Sequence, residues 1–330
     1  MISVGQPCRT TRHADQLTRV SRRGWAATLL LAIAPLTVPR VATAQPANEG
    51  PLVLRLPSSA RFLAIANAGI ASTDGDAMFF NPGMLASSRG AAASLQRYGS
   101  NGTSGAIATT STAGSITIGI GAQFVRYQAP LNLPYARLLK PGGTRLADPG
   151  AVPASSSAFS IGFAKTIKGF RVGANAKYVE DRIGVLADGT LAVDIGMNRA
   201  LGPGTLGFVV QNLGTGLRLE GHKGTLPRRI GAGWGAARPV SEHWDIAAHT
   251  ALTLEGDLFV RPAGGGELSF VPVEGVAFVV RQGFRRPREH DESFFTAGLG
   301  ITIDRLALDY AFEPMRGGRD AAHRVGVRVR

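Results

Sequence analysis

Thiol is nearly absent from this chain. Its 330 residues hold one cysteine, Cys8, which excludes a disulfide framework and any cysteine-ligated metal. Acidic residues are also scarce, 23 against 36 basic ones, for a formal net charge of +13. Six arginines and one aspartate fall in residues 1–44, so the remainder sits near +8 by the same side-chain count. That excess is spread over many segments without forming a patch, which argues against nucleic acid as a partner. Aromatic residues make up 7%. No apolar run reaches the roughly 20 residues that a membrane-spanning helix needs. There is no G-x-S-x-G nucleophile turn, no EF-hand spacing and no metal-spaced histidine pair. His222, His243, His249, His290 and His323 are scattered. The expectation is a protein that is no enzyme, with no cofactor and no metal.

What the chain does have is glycine, 43 residues, and finely interleaved apolar and polar positions. Near the start, Arg19, Arg22 and Arg23 precede the apolar stretch Trp25 to Val38, and Ala42-Thr43-Ala44 follows. A basic region, a short apolar run broken by Pro35 and an A-x-A site read as a secretory signal peptide over 1–44. Cys8 would leave with it, a sensible trait for a chain crossing an oxidising compartment unfolded.

Residues 45–90 form a different block. Small residues (Ala64, Ala66, Ala68, Gly69, Ala71) lead to an acidic turn at Asp74 and Asp76, then Phe79-Phe80-Asn81-Pro82. Asp74, Asp76 and Asn81 are possible oxygen ligands for a divalent cation. An acidic turn capping a short helix is the more economical reading. The block reads as a compact plug.

From residue 91 to 330 the chain breaks into about fourteen segments of 8 to 13 residues with period-2 alternation, the pattern of β-strands. Ile116, Ile118, Ile120 and Phe124 oppose Thr117, Gly119, Gly121 and Gln123. Leu306, Leu308, Tyr310 and Phe312 oppose Asp309 and Glu313. Turns are expected at Lys168-Gly169, Asp188-Gly189 and Gly202-Pro203-Gly204, and long loops at 129–153 and 285–292. Lys177, Asp194, Arg281, Asp309, Glu313, Arg324 and Arg328 all fall on the polar face. An even strand count with charge on one face and aliphatic residues on the other suits an antiparallel transmembrane β-barrel with a polar lumen. The seven charged residues would then either select solutes in a pore or pair with one another across the lumen. Trp234, Trp244, Tyr178 and Tyr310 lie near strand ends, where rings favour the lipid–water boundary. A soluble sandwich also alternates, so a soluble periplasmic β-protein stays open as an alternative.

Several pieces resemble the PorV/PorQ outer-membrane family, related in plan to the fatty-acid transporter FadL. The plug block with its aromatic-Asn-Pro end is one. Val210-Gln211-Asn212-Leu213-Gly214 followed by Leu226-Pro227 is another. So are Glu274-Gly275-Val276 with Arg281-Gln282-Gly283-Phe284, Thr296-Ala297-Gly298, Leu308-Asp309-Tyr310, and His323-Arg324-Val325. The resemblance implies an outer-membrane barrel with an N-terminal plug that serves type IX secretion or passes hydrophobic small molecules in a porin-like or FadL-like manner. Its partners would be outer-membrane lipid, the barrel-assembly machinery, and a hydrophobic ligand or secretion components. A barrel whose lumen stays closed and whose loops dock a partner is the other reading. The last strand ends Val329-Arg330, without the terminal aromatic residue that such barrels usually present to the assembly machinery.

Overall fold

The structure, a computed structural model, describes residues 50–73, 76–98, 102–130, 151–219, 222–288, 292–315 and 320–330. Asp74, most of the 129–153 stretch and His290 lie outside the described residues.

Antiparallel strands dominate. They are β1 (Gly90–Tyr98), β2 (Gly102–Ala113), β3 (Ile116–Pro130), β4 (Ala151–Ile167), β5 (Phe170–Ile183), β6 (Leu186–Leu201) and β7 (Gly204–Gly214). A short hairpin, β8 (Leu217–Leu219) with β9 (His222–Gly224), interrupts the series. The series resumes with β10 (Arg229–Pro239), β11 (Trp244–Glu255), β12 (Val260–Val273), β13 (Val276–Arg285), β14 (Phe295–Ile303), β15 (Leu306–Glu313) and β16 (Ala322–Val329). Each strand pairs with its neighbour, and β1 pairs with β16. The ring closes on the fourteen strands that the alternation predicts, leaving no unpaired edge among them.

The two ends of the cylinder differ. The connections after β2, β4, β6, β12 and β14 are two residues each. Every one of them contains a residue at positive φ: Gly114, Lys168 and Gly169, Gly202, Gly275, Asp304. That backbone twist matches the twist of the flanking strands, which is why two residues suffice. The opposite end carries the longer connections, such as the one from β7 to β10. It also carries one tight turn, at Gly184-Val185 with Gly184 at φ 59°. The turn expected at Asp188-Gly189 is therefore misplaced. Those residues lie inside β6, paired with Asp181 and Glu180, and Asp188 accepts a hydrogen bond from the backbone of Arg218 in the hairpin. A glycine four residues earlier does the turning.

The alternation resolves with the aliphatic side chains outward. Ile107 is 59% exposed and Leu191 67%, and Ile195, Val280, Leu299 and Val325 are exposed likewise. A soluble sandwich would bury these residues between its sheets. Here they form a continuous apolar band around a closed ring, the arrangement that satisfies every backbone polar group within a bilayer.

Residues 50–89 run inside the ring. They contain one helical turn, α1 (Ala60–Ala64), capped by the Ser59 hydroxyl, and three 3-10 turns at Leu52–Leu54, Ala77–Phe79 and Pro82–Ser87. Phe62, Leu63, Ile65, Met78 and Leu85 are wholly buried. Inward-facing glycines make room for them. A Cβ on Gly265 would stand 2.5 Å from that of Ile65, and one on Gly283 would stand 2.3 Å from the Ala66 nitrogen.

Candidate functional site

The candidate site is the seam between this inner segment and the wall, and it follows the chain around most of the cylinder. At the start, the Val53 N–H approaches the Ser156 hydroxyl of β4 at 3.4 Å. Ser94 of β1 donates to the Ser58 carbonyl at 2.7 Å. The guanidinium of Arg324 on β16 donates to the Pro57 carbonyl, to Gln96 Oε1 at 2.7 Å and to Ser94 Oγ at 3.1 Å. Past α1, Thr296 on β14 accepts from the Ala66 N–H and donates to the Ala64 carbonyl, both at 3.1 Å. Asn175 of β5 donates to the Met78 carbonyl at 2.6 Å, and Gln211 of β7 to the Phe79 carbonyl at 2.9 Å. Wall side chains thus satisfy backbone groups of a segment with little secondary structure of its own, as burial demands.

The aromatic-Asn-Pro block is the lower half of this seam. Phe80 meets Phe62 edge to face with centroids 4.3 Å apart. The Phe79 ring lies over Gly121, and the Pro82 carbonyl over Gly173. Asn81 is fully buried, accepts from the Gly83 N–H at 3.0 Å and donates to the Ile70 carbonyl at 2.9 Å. The capping role expected of the acidic turn therefore falls to Asn81. Asp76 is buried at the N-cap position of the preceding turn, and its side chain makes no capping hydrogen bond.

Two ionic clusters occupy the wall's inner face. In the first, Lys177 and Asp194 approach to 2.6 Å, and Lys177 also donates to Asn212 Oδ1 at 3.0 Å. Lys177 and Asp194 are diagonal neighbours on β5 and β6, and a register shift between β6 and β7 brings in Asn212, because Gln211 and Asn212 together face the single residue Asp194. Such a bulge aims two consecutive side chains inward. Asn212 takes φ 59°, and its N–H donates to Asp194 Oδ1 at 2.8 Å. The Gln-Asn-Leu-Gly piece of the sequence is this bulge.

The second cluster ties the inner segment to the wall. Glu267 of β12 receives Arg61 of α1 at 3.0 and 2.5 Å, Arg281 of β13 at 2.7 Å and His249 of β11 at 2.9 Å. His249 also meets the Ser72 hydroxyl at 2.8 Å. Arg281 reaches Asp309 of β15 at 2.7 Å, and Asp309 receives Arg328 of β16 at 2.6 Å. Toward the end with the long connections, Arg285 pairs with Glu313 and with Glu292, and Glu292 also pairs with Arg261. Burial pushes the Glu292 carboxyl up. The Arg285 and Arg261 guanidiniums and the Arg288 backbone N–H outweigh it, so its pKa lies below the ordinary 4.5.

Lys177, Asp194, Arg281, Asp309, Glu313, Arg324 and Arg328 are all buried in the interior, but they do not form one constellation. Lys177 and Asp194 sit apart from the Arg281–Asp309–Arg328 chain, Glu313 belongs with Arg285, and Arg324 serves the backbone of the inner segment. Arg61 and Glu267, which join the inner segment to the wall, were not singled out from the sequence, and His249 appeared there only as one of the scattered histidines. Glu267 shares parity with Gly265 inside a recognisable strand, and that signal alone could have placed it inside. Among the described residues no group of carboxylates and histidines is spaced to hold a metal ion.

The lumenal arrangement and the apolar exterior define a class: a fourteen-stranded membrane β-barrel whose interior is occupied by its own N-terminal segment. Solved structures share the fold. The toluene transporter TodX of Pseudomonas putida aligns with TM-score 0.54 at 11% identity over 81% of this chain and 96% of that one. The CymD monoaromatic hydrocarbon channel aligns with TM-score 0.51 at 10% identity over 87% and 97%. The likeness is one of fold. No protein-family model matches the chain, and no curated protein matches it.

Proposed function

We propose that the protein is an outer-membrane channel of the FadL-like kind that passes hydrophobic or amphipathic small molecules. Residues 1–44 act as a cleaved signal, residues 51–88 as the plug, and the end with long connections faces the cell exterior. The observation that carries this reading is the way the inner segment is held. Many of its anchors are single polar contacts to backbone carbonyls and one shared carboxylate, Glu267. Each such hydrogen bond contributes only about 0.5–1.5 kcal/mol net, so local displacement can open a path while the barrel stays intact. TodX, a toluene transporter, and CymD, a monoaromatic hydrocarbon channel, support an apolar cargo. The PorV/PorQ resemblance of the aromatic-Asn-Pro block adds a narrower possibility, a role in protein secretion, and rests on sequence alone.

The dense interior favours a second reading, a barrel whose lumen never opens and whose outer loops dock a partner. Uptake separates the two. Proteoliposomes carrying the protein should accumulate a monoaromatic hydrocarbon faster than empty vesicles and exclude a sugar of similar size. Equal hydrocarbon accumulation in both would sink the transport reading.

A further inference from the structure

On the lipid-facing side of β1 to β5, strand register lines up three arginines. The partner chain runs Arg97–Thr103–Arg126–Ser155–Arg182, each residue directly opposite the next. Arg97, Arg126 and Arg182 thus stand on alternate strands, about 10 Å apart, at the end with the long connections. All three are exposed. Among the described residues of these strands, Glu180 is the acidic side chain on this face, 3.3 Å from Arg182. Arg126 has no carboxylate partner among the described residues. Cations on the outer wall of a barrel are tolerated only near the boundary of the hydrocarbon, and three in one row call for an anionic surface there.

Directly beneath the row, toward the middle of the membrane, the same strands carry a groove of about 340 Å³. Its outward-facing lining is Ile107, Phe124, Phe159 and Tyr178, with Ala122 and Ser157 between them. In register the Phe124–Ser157 row lies two residues below the arginines, and the Ile107–Ala122–Phe159–Tyr178 row four below. That places the groove about 7 to 14 Å from the arginine row. Small outward residues, Gly105 included, leave the depression, because the Phe124 ring lies across Gly105. An acyl-sized apolar slot under a row of guanidiniums matches a lipid bearing both phosphate and chains.

We infer that this face is a binding site for a phosphorylated, multiply acylated lipid of the outer leaflet, of the lipid A class. Arg126 and Arg182 take phosphate, with Arg97 alongside, and the Ile107–Phe159 groove takes one acyl chain. The orientation rests on the proposed outer-membrane placement. The test uses the exported protein in nanodiscs, titrated with lipid A, with phosphatidylglycerol and with inorganic phosphate. Each arginine near an anionic surface contributes roughly fivefold in binding. The pair Arg126→Gln and Arg182→Gln should therefore weaken lipid A binding roughly 25-fold. Lys165→Gln with Arg199→Gln, outward cations at the opposite end, should leave it unchanged. Glu180→Gln should tighten it severalfold, a gain that misfolding cannot mimic. Binding within twofold across all variants, or equal preference for phosphatidylglycerol or free phosphate, overturns the inference. Loss of lipid A binding with hydrocarbon uptake intact leaves the channel reading standing. A chain that fractionates away from the outer membrane overturns both.

Discussion

Replacing Glu267 by glutamine removes one charge from the centre of the Arg61–Glu267–Arg281–Asp309–Arg328 chain and changes almost no volume. Arg281 and Arg328 would then share the single carboxylate of Asp309, and Arg61 would face a neutral side chain at position 267 in place of a carboxylate. Breaking a buried pair typically costs about 3–5 kcal/mol. Arg281 retains Asp309 at 2.7 Å, so the low end applies, about 3 kcal/mol. That loss falls on docking of α1, because Arg61 alone in this chain belongs to the inner segment. It corresponds to an increase on the order of a hundredfold in the undocked population. The assay is thiol labelling at Ala60→Cys, a position 2% exposed, in a background with Cys8 replaced by serine. Glu267→Gln should raise the labelling rate of the folded barrel by about that factor. Arg61→Met should raise it only about tenfold, since Glu267 keeps Arg281 and His249 and only charge-assisted bonds are lost. Labelling rates within threefold of one another, with the heat-modifiable gel shift of the barrel unchanged, would refute the reasoning.

Gly283→Ala puts a methyl group 2.3 Å from the Ala66 nitrogen. It should displace α1 and speed the same labelling reaction, while the barrel still assembles. Lys177→Met leaves the fully buried Asp194 with its Asn212 N–H and without its ion-pair partner. Resistance to denaturant should fall by about 3–5 kcal/mol, and adding Asp194→Asn should recover part of it. For Glu292, whose folded pKa is depressed, the contribution is fully present above the ordinary 4.5 and is lost as pH falls through the lower folded value. Hydrogen exchange in residues 286–288 and 292–294, corrected for intrinsic rate, should stay flat from pH 7 to 5 and rise below pH 4. A rise already at pH 6 would point to another group.

The strands were legible because a residue period of two survives whichever side faces the solvent, and only the meaning of each face had to be assigned. Lys177, Asp194 and Asp309 show how far that goes: parity gives the face, but not the partner. Lys177 meets Asp194 diagonally across β5 and β6, and Asn212 joins them through a bulge in β7, which leaves no period in the sequence. The arginine row is hidden for the same reason, since Arg97, Arg126 and Arg182 become neighbours only once register is known. Asp188-Gly189 misled because a good turn pair also fits a strand, and the competing Gly184 sits between two apolar residues. Arg61 and Glu267 are 206 positions apart, a separation no local pattern spans.

The claim on which all of this turns is that residues 51–88 close the lumen from within. Single-channel recording in planar bilayers tests it directly, comparing the full exported chain with one lacking those residues. The account predicts silence or rare brief openings from the first and a large, steady conductance from the second. Equal conductance from both, or a deletion that conducts nothing while still folded in the bilayer, would contradict it.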